Sequence, residues 1–163
     1  MNDFDILLRD MLGKLRAADI PVSDNIDPHV RVNFRAKRRF GQCTKTRDGF
    51  VIELSSRLLD APEHSARQTL AHELIHTCRG CMNHGRLFGK YAGRLNRLYG
   101  YNIGTTTSSR QLGIEPEKPK FVLVCTSCGQ HFSRMRRCPL TDDPGRYRCA
   151  CGGRLNFCDP GGE

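Results

Sequence analysis

Two kinds of segment are missing from this sequence. No apolar run approaches the roughly 20 residues that a membrane-spanning helix needs, and the N-terminus shows no signal-peptide pattern. Residues 3–18 instead have the spacing of a soluble amphipathic helix, with an apolar stripe formed by Phe4, Leu8, Met11, Leu12 and Leu15. These absences predict a cytoplasmic protein with no membrane partner, associated with the nucleoid if the source is prokaryotic. No oligomer is predicted.

Acidic residues are absent from two stretches that are rich in arginine and lysine. Residues 31–47 and residues 77–114 contain no Asp or Glu, and the formal net charge of the chain is +9. An ordinary solvated helix face would pair opposite charges four positions apart. A basic surface without such pairs suits a polyanion, because phosphate contacts release condensed counterions. The alternative is a basic surface that serves solubility alone.

Six basic residues from these stretches are the candidate nucleic-acid contacts, with DNA as the expected partner. Two of them belong to the first stretch, whose other basic residues are Arg31, Arg35, Lys37, Lys45 and Arg47. Four fall on one stripe of a helix predicted over residues 86–99. The six residues are Arg38, Arg39, Arg86, Lys90, Arg94 and Arg97.

The nine cysteines are an odd number, and several have the spacing of metal ligands, which favours a reducing compartment over a disulfide scaffold. Two close pairs predict a structural zinc ribbon whose four thiolates are Cys125, Cys128, Cys149 and Cys151. So short a tail would need the metal to supply its folding free energy. Cys138 is a reserve ligand and Cys158 a remoter one. A redox pair or unrelated buried thiols are the alternatives to a ribbon.

The run His72–Glu73–Leu74–Ile75–His76 is the most specific chemical signal in the chain. It lies in a helix predicted from about residue 62 to 78, with Asp60 as N-cap and a buried stripe at Ala66, Leu70, Leu74 and Thr77. Residues four apart share a helix face, so both imidazoles can bind one ion while Glu73 takes a proton from water. The spacing predicts zinc-dependent hydrolysis of a peptide bond. A surface helix that carries two histidines by chance is the alternative.

A third ligand must come from beyond the helix, because a continued helix would carry later side chains too far along its axis. Gly80 permits a reversal of the chain, after which His84 can return to the site. Cys81 is the weaker alternative, since a thiolate would reduce the Lewis acidity of the metal. No carboxylate is present between residues 77 and 114 to take this place.

The order of predicted elements indicates an α+β fold. Strands are predicted over residues 30–34, 40–44 and 50–54, the last two joined through Asp48–Gly49 as a hairpin. An exposed edge of this sheet could hold an extended substrate by strand addition. We expect a first domain over 1–105, a linker over 106–119 within the Gly-, Thr-, Ser- and Pro-rich stretch 102–119, and a ribbon over 120–163.

The segment HELIHTCRGCMNHGRLF, residues 72–88, resembles the SprT-like metalloproteases, a family related to Spartan. The resemblance to this family extends upstream to residues 39–43 and 49–55 and downstream to the cysteine-rich tail. It therefore covers about residues 30–158. It implies a minimal zincin-type domain followed by the family's zinc ribbon. By the same resemblance His72, His76 and His84 are zinc ligands and Glu73 is the catalytic base.

The resemblance further implies an endopeptidase that acts on DNA-bound proteins, notably those crosslinked to DNA, with one catalytic and one structural zinc. The competing hypothesis is a non-catalytic, zinc-containing nucleic-acid-binding protein. It accounts for the charge and the cysteines, but it leaves Glu73 without a role, because a purely structural metal site needs neither an open position nor a base.

Overall fold

The computed structural model describes residues 1–36, 38–115 and 118–158. Lys37, one of the basic residues of the first acid-free stretch, lies outside the described residues. The chain divides into two compact units, the first spanning Met1–Glu115 and the second described here over residues 118–158. Both units mix helices with a small sheet, so the fold class is α+β as predicted.

In its described residues, the first unit contains three α-helices and three strands. In chain order they are α1 (Phe4–Ala17), β1 (Arg31–Asn33), β2 (Gly41–Lys45), β3 (Phe50–Ser55), α2 (Glu63–Ile75) and α3 (Arg86–Tyr99). Helix α1 begins where the Asp3 carboxylate accepts hydrogen bonds from the amides of Asp5 and Ile6. Its stripe, which includes the fully buried Met11 and Leu15, faces the core and contacts α2.

The sheet has the strand order β1-β3-β2, which leaves β2 at one edge. Strands β2 and β3 pair antiparallel through the predicted turn at Asp48–Gly49, and β1 pairs parallel to β3. Strand β1 is shorter than the predicted 30–34. The side chain of Asn33 ends it by accepting hydrogen bonds from the amides of Arg35 and Ala36, which forms a turn.

Helix α2 forms the centre of the first unit and is buried along most of its length, including Ala66, Leu70 and Leu74. It starts later than predicted: Pro62 occupies the N-cap position without a side-chain hydrogen bond, so Asp60 is not the cap. The helix also ends earlier, at Ile75. The chain then reverses at Gly80, whose φ of +79° is a left-handed conformation that favours glycine.

Helix α3 has the predicted bounds, and the chain after it returns to the core. Tyr101, Ile103 and Leu112 are all buried within the first unit's hydrophobic cluster. The expected linker over 106–119 therefore differs from the structure, in which the first unit extends to Glu115. We call residues 101–107 the strap, since they lie across α2 and α3.

The second unit is a three-stranded sheet with a short helix. Its elements are β4 (Phe121–Cys125), β5 (His131–Arg134), α4 (Pro139–Asp142) and β6 (Leu155–Cys158), with the strand order β5-β4-β6. Its buried cluster consists of Leu123, Cys125, Cys149 and Leu155. So small a core supports the expectation that metal binding stabilises this unit. None of the helices in the described ranges has the length and apolar character needed to cross a membrane.

Candidate metal centres

The first unit brings three imidazoles together. Helix α2 supplies His72 and His76, and the loop after Gly80 supplies His84. The Nε2 atom of His72 lies 3.2 Å from Nε2 of His76 and 3.0 Å from Nε2 of His84. Two nitrogen ligands held about 2.05 Å from one tetrahedral ion would be about 3.3 Å apart. The three nitrogen atoms therefore have the spacing of ligands that share one ion.

Backbone carbonyls orient two of these rings. Nδ1 of His76 lies 2.7 Å from the carbonyl oxygen of Cys81, and the ring of His72 hydrogen-bonds the carbonyl of Gly104. A ring that donates one N–H to a carbonyl keeps its other nitrogen free as a metal ligand. Burial, followed by the charges of His76 and His84, lowers the pKa of His72 to about 4, so the neutral ring is favoured.

Glu73 lies against the outer edge of β2. Its side chain is buried, with 6% of the residue exposed, and it accepts a hydrogen bond from the backbone N–H of Cys43. Burial raises the pKa of its carboxyl group to about 7, while the Cys43 N–H and the charge of Arg39 oppose that rise. Gly41 leaves the necessary space, because a Cβ there would fall 2.5 Å from Glu73 Oε1.

A cleft of about 270 Å³ opens beside these groups. His72 and Glu73 lie at its base, together with Thr69 on the same helix. One wall is formed by residues 38–41 and the other by Thr105–Thr107 of the strap. The imidazole of His72 and the carboxylate of Glu73 can thus meet a molecule that enters from solvent.

The strap is the functional element that sequence reasoning missed. The amide of Asn102 donates to Gln68 Oε1 on α2 at 2.8 Å. On α3, Asn96 accepts from the amide of Ile103 at 2.8 Å and donates to its carbonyl at 3.1 Å. These bonds hold the Gly104 carbonyl near His72. A composition rich in Gly and Thr is typical of a linker, and nothing in the local pattern indicates these long-range contacts.

The six predicted nucleic-acid contacts fall into two places within the first unit. Arg38 and Arg39 line the cleft, and Arg39 forms an ion pair with Glu53 at 3.1 Å. The other four lie on α3, where the exposed members are Arg86, Lys90 and Arg97.

Arg94, the fourth residue on α3, has a structural contact that the sequence did not indicate. Its guanidinium donates to the carbonyls of Ala18 at 2.7 Å and Asp19 at 3.3 Å, just after α1. Carbonyls at a helix C-terminus lack intrahelical partners, so a cation there stabilises the end of α1.

The second unit gathers four thiols, one from the end of β4 and three from turns. They are Cys125, Cys128, Cys149 and Cys151, whose sulfur atoms all lie within 4.8 Å of one another. Sγ of Cys125 is 3.5 Å from Sγ of Cys151, and the Cys128–Cys149 separation is 3.6 Å. Thiolates about 2.3 Å from one tetrahedral ion would be about 3.8 Å apart, so the set fits a closed Cys₄ site.

The local backbone favours a thiolate at Cys125 and leaves space for its sulfur atom. Hydrogen bonds from the backbone N–H groups of Cys128 and Ser127 lower the pKa of the Cys125 thiol to about 6, which favours a thiolate. Gly153 leaves room for that sulfur, because a Cβ there would fall 2.5 Å from it. Cys138, the reserve ligand, is not in this group; it precedes α4 instead.

Comparison with known proteins identifies the first unit. A family model described as the SprT-like family matches residues 14–108, which is more than half of the chain. The match includes the three imidazoles, Glu73 and the strap, and it ends before the four thiols. No match was found among curated proteins. The chain therefore belongs to the SprT-like family, a family of zincin-like metalloproteases.

Proposed function

We propose that this protein is a cytoplasmic zinc endopeptidase that cleaves proteins bound or crosslinked to DNA, and that it thereby contributes to the repair of DNA–protein crosslinks. The single observation that carries the enzymatic part is the convergence of His72, His76 and His84 beside a buried carboxylate at an open cleft. Family membership supports the same reaction class.

The donor atoms in both units fit zinc. Three imidazoles that leave a coordination position open are a ligand set of catalytic zinc sites, whereas four thiolates without an open position are typical of structural sites. We therefore propose one catalytic and one structural ion per chain. When bound, the catalytic ion would supply Lewis acidity and lower the pKa of a water molecule.

The chain's own residues would handle the proton and the substrate. Glu73 is held by the Cys43 amide at the base of the cleft, where it can accept a proton from the attacking water and return it to the leaving nitrogen. A substrate in extended form could bind along the edge of β2, which would bring its backbone past Glu73.

The DNA part of the proposal rests on charge. Arg86, Lys90 and Arg97 are exposed on α3, and residues 77–114 offer them no acidic partner. A cationic face of this kind would bring the protease close to DNA and so select substrates by co-localisation. Salt-sensitive binding to an oligonucleotide that weakens in Arg86→Glu would support this part of the proposal.

The non-catalytic nucleic-acid-binding alternative is favoured by the same charges and by the four-thiol cluster. It gives no reason for the burial of Glu73. Burying a carboxylate away from an ion pair costs free energy, and functional sites are where such costs are commonly found.

The deciding experiment compares the full chain with Glu73→Gln on a DNA-binding protein substrate, with and without DNA and a chelator. We expect the variant to retain both metal ions and to lose cleavage. The matched control is Glu63→Gln, which changes an exposed carboxylate on the same helix. Full cleavage by Glu73→Gln would refute the assigned base, and absence of cleavage by the unaltered chain would favour the alternative.

A further inference from the structure

We propose that Arg38 forms a subsite for an acidic side chain of the protein substrate, close to the bond that is cleaved. This inference rests on the proposed endopeptidase function and names the substrate feature that the cleft would select. In this proposal Arg38 contacts the protein substrate, whereas the position of Arg38 in a basic stretch of the sequence predicts a contact with DNA.

Arg38 and Arg39 are neighbours with different contacts. Arg39 donates to the Glu53 carboxylate at 3.1 Å, and that ion pair occupies its guanidinium. Arg38 is exposed at the cleft wall and has no ion pair or hydrogen bond to another residue in the described ranges. An arginine that lines a cleft and forms no ion pair with the protein can bind a carboxylate of a ligand.

The rest of the cleft suits a carboxylate as well. Thr105–Thr107 on the opposite wall offer hydroxyl groups that can donate hydrogen bonds. Among the described residues that line the cleft, Glu73 is the only acidic one, and it is buried against β2. An acidic side chain would therefore meet donors, whereas a lysine at the same place would meet a like charge.

The size and position of the cleft favour a peptide over a nucleic acid as the source of the negative charge. Its volume of about 270 Å³ accommodates side chains. A DNA duplex, whose major groove alone is about 12 Å wide, is too broad to enter it. A peptide that binds along the edge of β2 would pass residues 38–40 immediately before Gly41, because those residues lead into the strand.

The test is a library of unstructured peptides in which Glu, Gln and Lys are placed at each position around the cleaved bonds. The full-length protein, loaded with zinc, should cleave peptides with Glu at one such position about 10-fold more efficiently, in kcat/KM, than those with Lys. Arg38→Glu should reverse that order, and Arg38→Gln should remove it. The charge-matched control Arg9→Glu, which changes an exposed arginine on α1, should keep the original order.

Each outcome decides the matter. Equal cleavage of Glu and Lys peptides, or an unchanged Glu preference in Arg38→Glu, would overturn the subsite while leaving the peptidase intact. Loss of oligonucleotide binding in Arg38→Glu without any change in peptide preference would assign Arg38 to DNA and also overturn it. Failure of the unaltered protein to cleave any peptide, or any DNA-binding protein, would overturn the proposed function together with this inference.

Discussion

Gly41 and Glu73 approach so closely that a side chain at position 41 would have to displace the carboxylate: a Cβ there would lie 2.5 Å from Oε1 and 2.7 Å from Cγ of Glu73. With the Cys43 amide as a hydrogen-bond donor, the backbone of β2 thus determines where the carboxylate lies. The position of the proposed base depends on a strand that contributes no side chain to the chemistry.

Gly41→Ala should therefore displace Glu73 and leave the three imidazoles in place. Because a positioned general base contributes roughly 10² to 10⁴ in rate, we expect peptidase activity to fall by about a hundredfold or more with unchanged zinc content. Steady-state cleavage and metal analysis provide the measurement. The control is Gly89→Ala on α3, where a Cβ meets nothing within 4 Å. Full activity in Gly41→Ala would contradict the assigned position of the base.

Asn96→Ala should weaken metal binding at the three imidazoles, although Asn96 contacts none of them. It would release Ile103 from α3 and so free the Gly104 carbonyl that orients His72. Loss of such an outer contact typically lowers metal affinity 10- to 100-fold, measurable by chelator competition. The matched control is Asn2→Ala, because Asn2 also donates hydrogen bonds to backbone carbonyls, those of Leu58 and Ala61. This control should keep the metal affinity of the unaltered protein. Equal affinities for both variants would show that the strap does not support His72.

Cys128→Ser should remove one of two metal ions and unfold the second unit alone. If a metal ion on the four thiols stabilises this small core, loss of one thiol should abolish dispersed amide signals from residues 118–158 while those of the first unit persist. Cys138→Ser, in the same unit but outside the group, should keep both ions. Retention of two ions by Cys128→Ser would disprove the four-thiol site.

His29 and Asp5 should make stability depend on pH. Their 2.8 Å hydrogen bond raises the pKa of His29 and lowers that of Asp5. The His29 contribution is therefore complete below its ordinary pKa of 6.5 and is lost as pH rises through the raised value. The Asp5 contribution is present above 3.8 and is lost as pH falls through the lowered value.

We thus expect His29→Gln to reduce Tm more at pH 5.5 than at pH 8.5, as measured by thermal melting. In an Asp5→Asn background the same substitution should have little effect at either pH. A loss of Tm that is equal at both values would indicate a contact independent of charge.

The parts of the fold that the sequence predicted are those with local signals. The periodicity of α3 gave its bounds, and the turn residues at Asp48–Gly49 gave the β2–β3 pairing. The strap and the segment that follows it could not be predicted, because Ile103 and Leu112 are isolated apolar residues whose burial depends on partners distant in sequence. The contact of Arg94 with the end of α1 is equally non-local, and basic periodicity alone cannot distinguish it from a surface role.

The position of the strap determines the smallest fragment in which the candidate metal site and its cleft can be complete. A piece that stops after Tyr99 keeps every ligand imidazole and the carboxylate, but it lacks the Gly104 carbonyl, one wall of the cleft and the apolar anchor at Leu112. Any shortened version of this protein, or any transfer of its candidate site into another scaffold, would therefore have to include the dozen or so residues that follow α3 in the chain.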